Sequence, residues 1–203
     1  MKKKQIADGV RLLMNANGQD TSVQLDERTI FWLADTIRVK LISKYIERFG
    51  KESVGAFTKG YVLPVQKDTT RDLKYVKVVD GLISVEGNNG IVSISKTQGT
   101  ECAFVLVKAG QESIYSNLEA ECAGGSVLYW QENNIVYFSK LGFEVEEVLV
   151  RAIPSLDSIE FDEQVPIPTD LELDMIQGIV ALIVPKAEDK QNNGNENKPT
   201  ING

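Results

Sequence analysis

The spacing of apolar residues predicts two helices at the start of the chain. Between residues 5 and 15 an apolar residue recurs every three or four positions, and the Asn17-Gly18 pair then breaks the pattern. A stronger pattern of the same kind begins after Asp26, a residue type that caps helix N-termini well. It stops at Gly50, a residue type that often follows a helix C-terminus. We therefore predict a short first helix and a long second one.

Apolar residues occupy more than one face of the second predicted helix. At about 1.5 Å per residue, a helix of this length spans roughly 36 Å. One face can pack on its own domain, which leaves a second face for another helix or a neighbouring subunit. The residues that widen the apolar stripe are therefore candidate interface residues: Phe31, Trp32, Val39, Ile42 and Ile46. The alternative is a core helix that is enclosed within one domain.

The middle of the chain, from about residue 54 to 153, has the pattern of β-structure. Seven or eight short runs alternate in polarity or are rich in β-branched residues, at spacings near ten residues. Hairpins are predicted around residues 87–90 and 132–134, where Asn and Gly accept positive φ angles easily. No alternation of strands and helices occurs, which disfavours a nucleotide-binding parallel sheet. The pattern favours an antiparallel sandwich or barrel.

An acidic connector begins at Pro154 and leads to a third, short helix. Thr169 and Glu172 make the T-x-x-E pattern of a capping box, so we expect this helix to begin at Leu171 or one residue earlier. Pro185 marks its exit. The remaining residues are polar and predict an extended tail that is disordered when the protein is alone.

The predicted fold class is α+β, with an antiparallel β-sandwich or barrel core, two N-terminal helices, one short C-terminal helix and an extended C-terminal tail. The sequence divides into four segments. They are an N-terminal helical arm (1–52), a β-rich core domain (53–153), an acidic connector with the C-terminal helix (154–185) and a polar tail (186–203).

Charge is unevenly distributed along the 203 residues, whose net charge is −7. Residues 1–52 carry 10 basic and 7 acidic side chains, whereas residues 141–185 carry one basic and 10 acidic side chains. A basic front and an acidic rear suit head-to-tail or side-by-side association of identical copies. The alternative is a solvated acidic surface. No dense basic stripe with interleaved aromatic residues is present, which disfavours binding to nucleic acid.

The residue types needed for most catalytic and metal sites are missing. The chain has no histidine, which excludes Ser-His-Asp and Cys-His nucleophiles and His-ligated zinc or iron. Its two cysteines, Cys102 and Cys122, are too few for a four-thiolate site, and we expect free thiols rather than a disulfide. No phosphate-binding or nucleophile-elbow motif occurs. We predict no enzyme activity, no catalytic or metal-binding residue and no cofactor.

Membrane targeting is not expected either. The basic start of the chain is not followed by the apolar stretch of a signal peptide. The longest apolar run, residues 179–184, is far shorter than the roughly 20 residues of a membrane-spanning helix. These patterns predict an intracellular origin.

Two other functions need residues that the chain does contain. A β-sandwich module that binds glycan or a host surface would use exposed aromatic rings, and Trp130 is the best candidate, although the sequence favours a packing or interface role for it. A carboxylate-dependent hydrolase would need an acid pair about 5–10 Å apart in a cleft. Acids at 157, 160, 162 and 163 could bind calcium, but they lack the fixed spacing of a calcium loop, which favours a solvated loop.

The order of four segments resembles one family of structural proteins. A long helix containing residues 35–46 leads into a β-domain with the hairpin of residues 127–138. Residues 145–154 follow the hairpin, and Val165-Pro-Ile-Pro168 then opens a short terminal helix. This order, over about residues 25–185, is similar to the ring or adaptor proteins in the neck of crAss-like tailed bacteriophages, which connect head and tail.

The resemblance implies a virion structural protein that is assembled in the host cytoplasm. It implies a twelve-fold ring of identical subunits beneath the portal, which contacts the portal, the tail or other neck proteins. DNA would pass through the ring only as cargo, and no membrane would be involved. The N-terminal helices would contact neighbouring subunits or the portal. The C-terminal helix and tail would clasp an adjacent subunit or ring.

Overall fold

A computed structural model describes residues 1–18, 25–85, 90–97, 103–108, 111, 126–139, 141 and 145–184. The α-helices in these residues are α1 (Lys3–Ala16), α2 (Glu27–Phe49) and α3 (Glu172–Ile183). The strands are β1 (Lys59–Pro64), β2 (Gln66–Asp68), β3 (Leu73–Lys77), β4 (Ile91–Lys96), β5 (Phe104–Leu106), β6 (Val127–Glu132), β7 (Ile135–Phe138) and β8 (Glu147–Ala152). Short 3₁₀ helices cover Lys51–Phe57, Leu156–Ser158 and Thr169–Leu171. The fold is a mixed α+β structure, as predicted.

The two N-terminal helices are confirmed, and local signals set the ends of α2. The side chain of Asp26 accepts a hydrogen bond from the backbone N–H of Arg28 at 3.3 Å, which satisfies one of the free amides of the first turn. Gly50 follows the helix with a φ of +87°, a conformation that costs little only for glycine. Helix α1 begins at Lys3, two residues earlier than its apolar pattern indicates.

The third helix starts later than predicted, and the capping box is absent. Residues Thr169–Leu171 form a 3₁₀ turn, and α3 begins at Glu172 with no side-chain cap. The carboxylate of Glu172 instead accepts a hydrogen bond from the amino group of Met1. The Glu172 side chain therefore bonds to the distant N-terminus and not to the backbone of its own first turn. The sequence pattern alone does not reveal this contact. Helix α3 ends at Ile183, and the predicted exit signal Pro185 lies outside the described residues.

The described strands form two open sheets, so the barrel alternative is wrong. One sheet has the order β1-β8-β4, and the other has the order β2-β3-β7-β6-β5. A closed barrel requires each strand to pair on both sides, whereas these sheets end in edge strands. The hairpin β6–β7 is confirmed, and its turn residue Asn133 has a φ of +56°. The turn predicted at 87–90 falls largely on residues outside the described part of the chain.

One strand pair departs from the predicted antiparallel arrangement. Strand β5 runs parallel to β6, with Phe104 opposite Val127 and Leu106 opposite Tyr129. Twenty residues separate Leu106 from Val127, which is enough chain for the crossover that a parallel pair requires. The other described pairs within the two sheets are antiparallel.

Buried side chains form two main clusters and a small one. The helical cluster combines residues of α1, α2 and α3 with Ile83, Val85, Ile153 and apolar residues of the connector. A second cluster lies between the sheets: it joins Val76, Val136 and Phe138 of the five-stranded sheet to Val148 and Val150 of the three-stranded sheet. A small cluster around Trp130 and Tyr137 covers another part of the five-stranded sheet. Helices from both ends of the chain therefore share one core.

The division into four segments remains a prediction, and Cys102, Cys122 and the tail lie outside the described residues.

Candidate interaction surface

One face of α2 points away from the helical core. Trp32, Val39 and Ile46 are spaced seven residues apart, so they lie along one line of the helix. The side chain of Trp32 is 68% exposed, whereas Val39 and Ile46 are partly buried against the helical cluster. Of these three predicted interface residues, Trp32 is therefore the exposed one, whereas Val39 and Ile46 lie at the edge of the face that the core covers.

Phe31 and Ile42, two further predicted interface residues, face inward. Phe31 is 6% exposed and makes an edge-to-face contact with Phe161 of the connector, with ring centroids 6.5 Å apart. Ile42 is fully buried in the helical cluster. The sequence shows that α2 is apolar on several faces, but it does not show which of these faces the rest of the chain covers. Neither side chain presents a surface to a partner in this conformation.

The last predicted interface residue, Trp130, is also buried. Its ring stacks on Tyr137 of the neighbouring strand at 5.8 Å between centroids, and its Nε1–H donates to Glu132 at 3.3 Å. Only 6% of the residue is exposed, which agrees with a packing role and leaves no exposed ring here for glycan binding. The cause is that the two hairpin strands place both rings in the small cluster on the five-stranded sheet. The glycan-binding alternative therefore lacks its candidate aromatic residue.

Exposed cations flank the outward face of α2. Lys40, Lys44 and Arg48 recur every four residues along the second half of the helix, and Lys51 follows in the next 3₁₀ helix. Among the described residues, none of these four side chains forms an ion pair. We call the exposed set Trp32, Lys40 and Lys44 the α2 surface. It combines one exposed aromatic ring with two exposed cations on the same side of the helix.

The acidic connector makes a tight turn that exposes one aromatic ring. The backbone N–H of Glu163 donates to the carbonyl of Glu160 at 3.1 Å, which closes the turn around Phe161 and Asp162. Phe161 is 42% exposed, and the acids on both sides of it are exposed and have no ion-pair partner among the described residues. We call residues 160–162 the connector tip.

The connector is held against the rest of the fold by polar contacts as well as apolar ones. The Nζ of Lys3 donates to the carbonyl of Ile159 at 3.0 Å, and Lys59 pairs with Glu163. The hydrogen bond from Lys59 lowers the pKa of Glu163, and the same bond raises the pKa of Lys59. One acid of the segment 141–185, Glu163, is therefore paired within the chain, by a lysine of strand β1.

A buried ion pair fixes α2 to the start of the connector. Asp35 and Arg38 pair at 2.9 Å, and the guanidinium also donates to the carbonyl of Pro154 at 2.8 Å. The second carboxylate oxygen of Asp35 accepts the backbone N–H of Leu156 at 2.9 Å. Burial raises the pKa of Asp35, although the Leu156 amide and Arg38 act in the opposite direction. Sequence patterns gave no sign of this pair, because nothing local marks a charged residue as buried.

An apolar cavity lies beside the end of α2. It has a volume of about 260 Å³ and is lined by Ile46, Val54 and Ile153, among other apolar groups, and by Lys51. Ile46, a predicted interface residue, thus lines a cavity wall and packs against the helical cluster.

Among the described residues, no three Cys, Asp or Glu side chains come close enough together to hold a metal ion, and this includes the four connector acids considered for calcium. No helix in the described ranges is both long and apolar enough to cross a membrane. No protein-family model and no curated protein matches the chain.

Proposed function

We propose that this protein is a non-enzymatic structural subunit of a virion. Identical copies assemble into a twelve-fold ring in the neck of a tailed phage, between the portal and the tail or other neck proteins. The ring forms in the host cytoplasm and becomes part of the virion. DNA passes through it as cargo, without specific binding and without a membrane step.

The observation that supports this proposal most strongly is the exposure of Trp32 on a long helix. A tryptophan buries 150–250 Å² when it packs, so the exposed ring of Trp32 offers a large apolar area for a protein partner to cover. Lys40 and Lys44 lie beside it and form no ion pair among the described residues, which gives that surface a charge preference. Aromatic and basic groups together are the usual anchors of protein interfaces.

The β-core suits a rigid ring body. We propose that the two sheets are the layers of a β-sandwich, since buried residues of both sheets pack into one cluster. The helices then lie to one side of a stiff scaffold, where they can contact neighbours. Leu173 and Leu182 on α3 are 59% and 44% exposed, which suits a helix that clasps an adjacent subunit together with the polar tail.

The proposal is tested in virions of the phage that encodes the chain. Mass spectrometry of gradient-purified particles should find the protein at a constant ratio to the portal protein, and antibody labelling should mark the neck. Cryo-electron microscopy of the neck should show a ring into which the two-sheet core and α2 fit. Absence of the protein from purified virions would contradict the proposal.

A further inference from the structure

We propose that the connector tip of one copy docks on the α2 surface of the next copy. Phe161 would insert against Trp32, and the carboxylates on either side of it would pair with Lys40 and Lys44. The inference deepens the proposed function and rests on it, because a ring of identical subunits needs a contact between two different surfaces of the same chain.

The two surfaces are complementary in both polarity and charge. The connector tip presents one exposed aromatic ring between two unpaired acids, in the order acid, ring, acid. The α2 surface presents the exposed ring of Trp32 beside Lys40 and Lys44, which form no ion pair among the described residues. Neither set of charges finds an ion-pair partner within the described part of its own chain. Unlike charges left unpaired on two exposed surfaces favour association between copies and suppress like-charged encounters.

Helix geometry prevents one copy from closing this contact on itself. Phe31 contacts Phe161, so the side of α2 that carries Phe31 faces the connector. A helix turns about 100° per residue, and Lys40 therefore lies about 180° around the axis from Phe31. Asp35 and Arg38 hold the connector on the Phe31 side of the helix. The connector tip and the cations of the α2 surface consequently point in opposite directions.

Opposed and complementary surfaces produce a head-to-tail contact. Such a contact leaves one free surface at each end, so it continues until the rotation between copies closes a ring. The apolar part supplies affinity, and the ion pairs set the register of the two copies. Because the charges are exposed, the contact should weaken as salt is added.

Charge reversal provides the test, with sedimentation velocity of the full chain at low and high ionic strength as the measurement. Lys40→Glu with Lys44→Glu, and separately Glu160→Lys with Asp162→Lys, should each weaken self-association roughly tenfold or more at low salt. Replacing both lysines by glutamine should give an intermediate loss. The control Lys77→Glu with Lys108→Glu lowers the net charge by as much as the double lysine reversal, at exposed sites outside both surfaces, and should associate like the wild type. Circular dichroism verifies that each variant is folded.

An equimolar mixture of the two reversed variants gives the decisive result. Each variant alone meets a like-charged partner, but in the mixture both contacts join unlike charges, so association should return. Failure of the mixture to associate, equal association of all variants, or a wild-type chain that stays monomeric at low salt would overturn the docking proposal. The presence of the protein in virions is measured separately, so a ring built through other surfaces would leave the proposed function intact.

Discussion

Asp35 and Arg38, one turn apart on α2, form an ion pair in which the guanidinium is fully buried and the Oδ1–Nη1 distance is 2.9 Å. Each partner also binds the backbone of the connector, at Leu156 and Pro154 respectively. The Nε and Nη2 groups of Arg38 have no hydrogen-bond partner in the described chain. The pair thus fixes the connector tip opposite the α2 cations, at the cost of a partly unsatisfied buried charge.

Removal of Arg38 should be strongly destabilising. Arg38→Met leaves the half-buried carboxylate of Asp35 without its countercharge, and breaking a buried pair in this way costs about 3–5 kcal/mol. The free energy of unfolding is measured by urea denaturation followed by circular dichroism. Lys44→Met is the control on the same helix, and as an exposed change it should stay within about 0.5 kcal/mol of the wild type.

A second substitution should restore part of that loss. Asp35→Asn combined with Arg38→Met removes the orphaned charge but keeps a side-chain oxygen for the Leu156 amide. The double variant should therefore be more stable than Arg38→Met alone. Equal stability of the two would show that the charge of Asp35 does not matter to the loss.

The Lys59–Glu163 pair should make stability depend on acid pH. The pKa of Glu163 is lowered from its ordinary value of 4.5 in the folded chain, so the unfolded chain takes up a proton first as the pH falls. The contribution of the pair is present above pH 4.5 and is lost as the pH falls through the folded pKa. Because both side chains are about one-third exposed, we expect less than about 1 kcal/mol.

Two variants isolate that contribution. Glu163→Gln and Lys59→Met should each flatten the acid side of the stability profile in urea titrations from neutral pH to below pH 4.5. Combining them should add little, since each removes the same interaction. A wild-type slope that persists in both variants would assign the acid dependence to other groups.

Close packing of α3 on α2 should make Gly178 intolerant of larger side chains. A Cβ atom added at this position would lie 3.0 Å from Cγ2 of Ile37, which is tighter than ordinary contact. Gly178→Leu should therefore destabilise the chain by about 1–3 kcal/mol through overpacking. Ala181→Leu makes a comparable change at an exposed position of the same helix and should cost less than about 0.5 kcal/mol. Thermal or urea unfolding of the two variants compares them directly.

The two tryptophans should report opposite environments. In Trp32→Phe the remaining ring of Trp130 is buried, so its emission should lie at shorter wavelength and resist acrylamide quenching. In Trp130→Phe the remaining ring of Trp32 should emit at longer wavelength and be quenched readily. Measurements at high salt and low protein concentration keep self-association from covering Trp32. Equal quenching in both variants would contradict the assigned exposures.

The same pair of residues shows how far burial could be predicted. Phe31 and Trp32 are neighbours in an apolar helix, and the sequence pattern gives both of them the same interface role. The connector covers Phe31 and leaves Trp32 exposed, because they lie about 100° apart around the helix. Trp130, also a predicted interface residue, is buried like Phe31, because its ring stacks on Tyr137 of the neighbouring strand. Which face of an element is covered depends on the elements that pack against it.

Features that depend on a few consecutive residues are predicted correctly from the local sequence. The Asp26 cap, the Gly50 end and the Asn133 turn follow from hydrogen bonds and backbone angles within one turn of chain, and the structure contains all three. Three other features depend on tertiary contacts and are not predicted by local sequence: the parallel pairing of β5 with β6, the start of α3 at Glu172 and the burial of Arg38. Each of these depends on a partner more than a hundred residues away or on a strand reached by a long crossover. Local pattern has no information about such partners, because their contacts form only when the sheets and helices pack together.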